Sequence, residues 1–277
     1  MAPQPATTGI AGRSIIVTGG GSGIGAACAA RLVADGARVT ICGRTESKLA
    51  TVVERLAPVA SASGGDVWAV VADVTDEADV AGLVTAATGA AGRLDGIVAN
   101  AGGGGAIAPF HRQKVDEFVR VLHLNVVGTM LLVKHSVAAM VASGGGSFVA
   151  MSSIAGHVTH PYFGAYTVSK AGVEAMMRNA ADEYGAVNVR FNAVRPGFTS
   201  TEIMELIPRD SAVYASYIAN TPMAGVGEPT DVAELVRFLL GDESRWITGQ
   251  AVNVDGGHCL RRGPDFSSFA GDALADL

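Results

Sequence analysis

The sequence predicts a single α/β domain, a doubly wound and mostly parallel sheet of seven strands with helices on both faces. Three observations carry that prediction. Short β-branched runs recur with little polar alternation, segments with helical apolar spacing separate them, and the 36 glycines cluster at the ends of the runs. Strands that lack polar alternation are buried on both faces, which requires helices above and below the sheet. A content of 49% hydrophobic and 17% charged residues excludes a disordered chain, and 277 residues can still share one core.

The elements follow in order. Residues 1–12 have no positive charge before Arg13 and read as a flexible leader, neither a signal peptide nor an anchor. Strands are expected at 14–18, 38–42, 67–71, 96–99, 147–151 and 187–191, with a seventh near 250–254. Between the fourth and fifth, Val115, Phe118, Val119, Leu122 and Val126 fall on one helical stripe and predict a long helix over 114–141. A second long helix is expected over 165–185. Residues 200–227 break the rhythm with Pro208, Tyr214, Tyr217 and Pro222, which marks a candidate lid. No linker divides 13–257, so this is one domain, followed by a tail over 258–277.

Several function classes fall away. Twenty basic against 26 acidic residues give a net charge of −6, and no basic run offers a footprint for nucleic acid. Cys28, Cys42 and Cys259 are odd in number and lack CxxC spacing, which disfavours a disulfide framework or a zinc site and fits a reducing, cytoplasmic setting. No uninterrupted apolar stretch approaches the roughly 20 residues that span a bilayer, so no membrane partner is expected. The histidines show no HExxH or HxxxH pairing, so no metal is expected either. His157 and His160 are polar loop residues bordering the expected substrate pocket. Cys28 and Cys42 fall on apolar faces and are expected in the core.

The first strand runs into Thr18-Gly19-Gly20-Gly21-Ser22-Gly23-Ile24-Gly25 and then an Ala-rich helix. Strand, glycine turn and helix together aim backbone N–H groups and a helix N-terminus at a pyrophosphate, as in the Rossmann fold. Downstream stand Asn100-Ala101-Gly102, Ser153, Tyr166-x-x-x-Lys170 and Pro196-Gly197. In order and spacing these motifs resemble the short-chain dehydrogenase/reductase family over about residues 13–257. The resemblance implies a nicotinamide cofactor held by Gly19, Gly21, Ser22, Gly23 and Ile24 of the turn.

In NAD-binding units of this kind an acidic residue ending the second strand holds the ribose hydroxyls and would repel a 2′-phosphate. The family's alignment puts Gly43 there, followed by Arg44, whose guanidinium suits a phosphate. NADP(H) is therefore expected ahead of NAD(H), although Ser22 stands where NADP-using relatives often carry a second basic residue. The resemblance gives Asp73-Val74 to the adenine, with a helix N-cap as the rival role for Asp73 and Asp76 as the rival residue for that cap. It gives Asn100, Ala101 and Gly102 to the adenosine ribose. Pro196, Gly197 and the hydroxyls of Thr199 or Thr201, Thr199 ahead, go to the nicotinamide carboxamide and pyrophosphate.

Tyr166 and Lys170 lie four apart, so on a helix they share a face. A free Tyr has a pKa near 10, and the charge of Lys170 is expected to lower it toward general acid–base use. By resemblance Lys170 also binds the nicotinamide ribose and Tyr166 borders it. Ser153 holds the substrate oxygen, and Asn125 disturbs its helix and relays protons through a water. Phe163, Phe198, Ile203, Met204 and Met223, with Tyr162 beside them, would make an apolar pocket wall. The expected activity is NADP(H)-dependent interconversion of a carbonyl and an alcohol on a hydrophobic small molecule. An enoyl-thioester reductase on the same fold and a non-catalytic NADP(H)-binding regulator are the rivals. The family's habit implies a homotetramer packed through the two long helices.

Overall fold

The computed structural model describes residues 9–202, 204, 207–261, 263 and 266–271. The first eight residues of the leader, Ile203 and the last six residues of the tail lie outside the described residues. Seven strands form one sheet: β1 (Ser14–Thr18), β2 (Arg38–Gly43), β3 (Asp66–Val71), β4 (Gly96–Ala99), β5 (Gly146–Met151), β6 (Val189–Pro196) and β7 (Ala251–Val254). Their order is β3-β2-β1-β4-β5-β6-β7, and every neighbouring pair is parallel. The chain winds outward from β1 in one direction and from β4 in the other. A crevice therefore opens at the carboxyl ends of β1 and β4, where such sheets bind ligands.

The helices are α1 (Gly23–Ala34), α2 (Glu46–Ser63), α3 (Glu77–Ala91), α4 (Val115–Leu122), α5 (Gly128–Ala142), α6 (Gly164–Tyr184), α7 (Ala212–Asn220), α8 (Pro229–Leu240) and the short α9 (Ser267–Ala270). Strand periodicity decides how they pack. Ile15 and Val17 of β1 face one side with Leu32 of α1, Leu49 of α2 and Leu239 of α8. Ile16 faces the other side with Leu83 of α3, Leu132 of α5 and Met177 of α6. Phe148 of β5 and Phe191 of β6 stack at 5.3 Å within that second layer. Helix starts follow local chemistry: Asp76 caps α3 by accepting from the N–H groups of Ala78 and Asp79, and Pro229 opens α8 inside a Glu228/Asp231 capping box.

Two expectations need correction. The sixth strand runs Val189–Pro196, two residues later at its start than expected and longer, because Gly185–Val187 forms a 3₁₀ turn and Asn188 takes a left-handed φ of 61°. The helix expected over 114–141 is continuous in direction but changes pitch, with a π-helical turn over His123–Val127 between α4 and α5. That run, Val115–Ala142, has the length and average hydropathy of a bilayer-crossing helix, yet charged and polar residues interrupt it, in keeping with the expectation of no uninterrupted apolar stretch. Leu131, Leu132 and Met140 of this run lie buried in the core.

The segment over 200–227 leaves the sheet and returns to it. Thr199 and Gly227 form an isolated bridge at its base, with Ser200 N–H donating to Gly227 O at 2.8 Å and Gly227 N–H to Phe198 O at 2.9 Å. Inside this closed loop α7, capped by Ser211, packs Val213 and Tyr217 against Phe198, Ile154 and Phe266 in a third apolar cluster. The third cluster lies over the site.

Candidate active site

The turn after β1 is built by its glycines. Gly19 and Gly23 take left-handed φ values of 65° and 51°, and a Cβ on Gly25 would sit 2.2 Å from the Gly19 carbonyl oxygen. Ser22 begins α1 without capping it through its side chain, which leaves the first N–H groups of the helix open toward the crevice. The arrangement fits a dinucleotide's pyrophosphate, with Gly21, Ser22, Gly23 and Ile24 at the helix mouth. Thr18 ties the two central strands: its Oγ1 accepts from the N–H groups of Asn100 and Ala101, both at 3.0 Å, while Asn100 Nδ2 donates back to Thr18 O at 3.0 Å. Gly102 follows, close enough to Lys170 that a Cβ there would lie 3.4 Å from Nζ.

At the ends of β2 and β3, Gly43 leaves open space and Arg44 is 75% exposed, its guanidinium 3.9 Å from the Asp73 carboxylate. Asp73 does not cap α3, a task that Asp76 performs. Instead Asp73 Oδ1 accepts from the N–H and Oγ1 of Thr75, and the first of these bonds is the main cause holding its carboxyl below the usual range. Val74 turns its side chain into the core against Gly128, so any ligand contact there must be made by its backbone.

The groups expected to react meet where β5, β6 and α6 converge. Tyr166 and Lys170 share the inner face of α6, and Ser153, just past β5, is hydrogen-bonded to the Tyr166 side chain. Lys170 Nζ lies 5.5 Å from the Tyr166 ring centroid and donates to Met151 O at 2.7 Å. The expected lowering of Tyr166 by Lys170 is not what the protein alone produces. Burial pushes the phenol up, with the Ser153 bond opposing, and burial pushes the Lys170 ammonium down to about 8. Desolvation penalises both charged forms and is the leading cause of both shifts.

Asn125 lies in the π-helical turn, as its expected disturbance of the helix implied. Its Oδ1 accepts from Gly103 N–H at 2.9 Å, and its Nδ2 donates to Gly103 O and to Ser169 Oγ. The side chain thus clamps the glycine loop after β4 to α6, and its backbone carbonyl accepts from Thr129 Oγ1 at 2.7 Å. Past β6, Pro196 and Gly197 line the same cavity. Thr199 Oγ1 donates to Gly197 O at 3.2 Å, whereas Thr201 is the nearest neighbour of the position a Gly23 Cβ would take, which puts Thr201 at the mouth of α1.

The cavity above Ser153 and Tyr166 has a volume of about 450 Å³ and an apolar outer wall that includes Phe163, Phe198, Met204 and Tyr217. Three wall expectations change. Met223 is 81% exposed and stands outside it. Tyr162, with a left-handed φ of 69°, lines a second cavity on the outer side of the 157–163 loop and packs against the third apolar cluster without lining the main cavity. His157 is exposed on that outer side, whereas His160 is buried and lines both cavities. Cys28 and Cys42 lie in the core as expected, where burial pushes both thiols up to about 12.

Two features went unread in the sequence. Phe266, from the tail, is buried against the cavity at 5.4 Å from the Phe163 ring. A Gly263 Cβ would lie 2.1 Å from Thr159 O, so the tail crosses the 157–163 loop at a distance that only glycine permits. Gly263 three residues before an aromatic was the available signal. The second feature is a buried ion pair, Glu174 of α6 with Arg195 of β6, to which Ser152 Oγ donates at 2.7 Å.

Comparison with known proteins places this arrangement among relatives. A family model described as enoyl-(acyl carrier protein) reductase matches residues 19–258. The cis-4-hydroxycyclohexanecarboxylate dehydrogenase of Sinomonas cyclohexanicum is 38% identical over 246 residues, 89% of this chain and 96% of that protein. A short-chain type dehydrogenase/reductase from Mycobacterium ulcerans superposes with a TM-score of 0.94 at 45% identity, over 97% of this chain and 99% of that one. A 7α-hydroxysteroid dehydrogenase complexed with NADH and 7-oxo glycochenodeoxycholic acid superposes with a TM-score of 0.84 at 29% identity, over 90% and 94%.

Proposed function

The chain belongs to the short-chain dehydrogenase/reductase family, and from that premise we propose that it interconverts a secondary alcohol and a ketone on an apolar, ring-shaped small molecule with NADP(H). The observation that carries the reading is the Ser153–Tyr166 hydrogen bond at the floor of an apolar cavity, with Lys170 behind it. A nicotinamide held between the glycine turn and Lys170 would supply or take the hydride at the carbon. Ser153 and Tyr166 hold the substrate oxygen, and Tyr166 gives that oxygen a proton in reduction and takes one from the alcohol in oxidation. Lys170, fixed by Met151 O, and Asn125, which clamps Gly103 to α6, keep the tyrosine's helix against the crevice. The relatives named above, acting on a cyclohexane derivative and a steroid, support a ring as the apolar body. In the same reading the chain assembles as a homotetramer through the exposed Val115, Val119 and Val168 of its long helices.

The enoyl-thioester reading draws on the description of the matching family model. A paired Ser and Tyr aimed at one substrate oxygen serves a carbonyl, and we place the carbonyl–alcohol reading ahead of it. NADPH oxidation assayed with cyclic ketones and with a crotonyl thioester tests this directly. Turnover of the thioester alone overturns the proposal.

Tyr166 must hold its proton to reduce and lose it to oxidise. Because burial raises its pKa, reduction is expected to stay level through neutrality and fall only in alkali, while oxidation climbs with pH. Initial rates in both directions check this. A reduction rate that falls steadily between about pH 6 and 8 would exclude Tyr166 as the proton donor.

NADP(H) preference rests on Gly43 and Arg44. Gly43→Asp puts a carboxylate where the 2′-phosphate is proposed to sit and beside Arg44. Fluorescence titration is expected to show NADPH binding weakened by about tenfold or more, with NADH binding held or improved. Equal loss for both cofactors would point to a folding defect, and no loss for NADPH would remove the 2′-phosphate from this corner.

A further inference from the structure

His160 is a polar side chain set in an apolar wall. It is 5% exposed, lines the main cavity, and packs at 6.4 Å from the Phe266 ring. The ring contacts run Tyr166 to Phe163 at 4.8 Å, Phe163 to Phe266 at 5.4 Å, and Phe266 to His160, so His160 stands two aromatic rings along the wall from the reacting oxygen. Its Nδ1 lies 2.9 Å from Val158 O. A carbonyl oxygen only accepts, so Nδ1 carries the proton, and burial, which pushes the imidazole down to about 4, leaves Nε2 without one near neutrality. Among the described residues the ring's hydrogen bond is the one made through Nδ1, which leaves Nε2 as the acceptor edge. His160 lines both the main cavity and the outer one, and with Nδ1 engaged by Val158 O, Nε2 is the ring's open acceptor edge.

We propose that His160 Nε2 and the Phe163–Phe266 wall form a distal subsite that takes a ring bearing a hydroxyl group remote from the reacting carbon. The substrate class is then an alicyclic hydroxyketone or the corresponding diol. Nε2 accepts, so the distal group must be a donor, and a carboxylate there is disfavoured. The tail takes part through Phe266, which makes residues beyond the family's motifs a determinant of specificity. This inference rests on the carbonyl–alcohol reading for the identity of the reacting group, though not for the existence of the subsite.

The probes are a fused two-ring ketone with a hydroxyl on the ring remote from the carbonyl, and the same ketone without that hydroxyl. Calorimetric binding of both to the cofactor-loaded chain reads the subsite without turnover, and kcat/KM for both reads it with turnover. The wild-type chain is expected to favour the hydroxylated probe by about fivefold to tenfold. His160→Leu is expected to bring that ratio to about one, and His160→Gln, which keeps an acceptor, to restore part of it. Equal binding of the two probes by the wild type, or an unaltered ratio in His160→Leu, overturns the subsite. Discrimination in binding with turnover of neither ketone would sustain the subsite and overturn the carbonyl–alcohol reading.

Discussion

Tyr166→Phe is expected to lower kcat for cyclic-ketone reduction by about 10³-fold while NADPH still binds within a few fold of wild type. The substitution removes one oxygen from a side chain that is packed against Phe163 and hydrogen-bonded to Ser153. The ring stays, so the cavity wall stays, and the loss falls on the proton. Positioned general acids contribute about 10²–10⁴-fold, and water cannot substitute easily in an apolar cavity. Single-turnover rates beside a fluorescence titration make the measurement. Retention of more than a tenth of the wild-type rate would remove Tyr166 from the chemistry, and tight cofactor binding without turnover in the wild type itself would shift weight to a regulator.

Glu174→Ala is expected to destabilise the fold by about 3–5 kcal/mol, lowering Tm on the order of 10 °C. Glu174 accepts from Arg195 Nε at 2.6 Å and from Nη2 at 2.5 Å, with both partners largely removed from solvent. Its Oε1 also takes the Ser152 hydroxyl. Removing the carboxylate strands a half-buried guanidinium and a buried hydroxyl together, and that penalty exceeds the worth of the pair itself. The three residues adjoin the site: Ser152 precedes Ser153, Glu174 lies one turn past Lys170, and Arg195 precedes Pro196. Thermal unfolding of Glu174→Ala against the apolar double variant Glu174→Leu/Arg195→Met separates the two costs. The double variant is expected to regain most of the stability, and a single-variant Tm shift under about 2 °C would show that the pair is solvated.

Much of the site was legible because its chemistry is local. Glycine at a helix mouth, a hydroxyl closing a strand, and Tyr and Lys four apart each express a short-range geometric need, so Gly19 to Gly25, Ser153, Tyr166 and Lys170 could be read as a string. Asn125 was legible for the same reason, since a polar residue on an apolar helical stripe marks a break. Asp73 and Asp76 were not separable by sequence, because two acidic residues three apart can both cap a helix. The choice was made by the turn that Thr75 closes on Asp73. The start of β6 was misjudged because Asn188 can take a left-handed φ as readily as an extended one, and only packing selects between them.

What the sequence by itself determined is the parallel α/β sheet, the glycine turn at the mouth of α1 and the positions of Ser153, Tyr166 and Lys170 at strand end and helix start, since each depends on neighbours within one element or one connection. What only the tertiary structure decided is the pocket. Phe266 meets Phe163 from about a hundred residues away, Met223 drops out, His160 is buried with its proton on Nδ1, and Glu174 finds Arg195 across two elements. Such contacts carry no sequence period, because their partners are chosen by the order of strands in the sheet and by where the tail crosses it. Burial then sets the protonation of the groups so enclosed, which is why the direction of the Tyr166 shift could not be read from its spacing to Lys170.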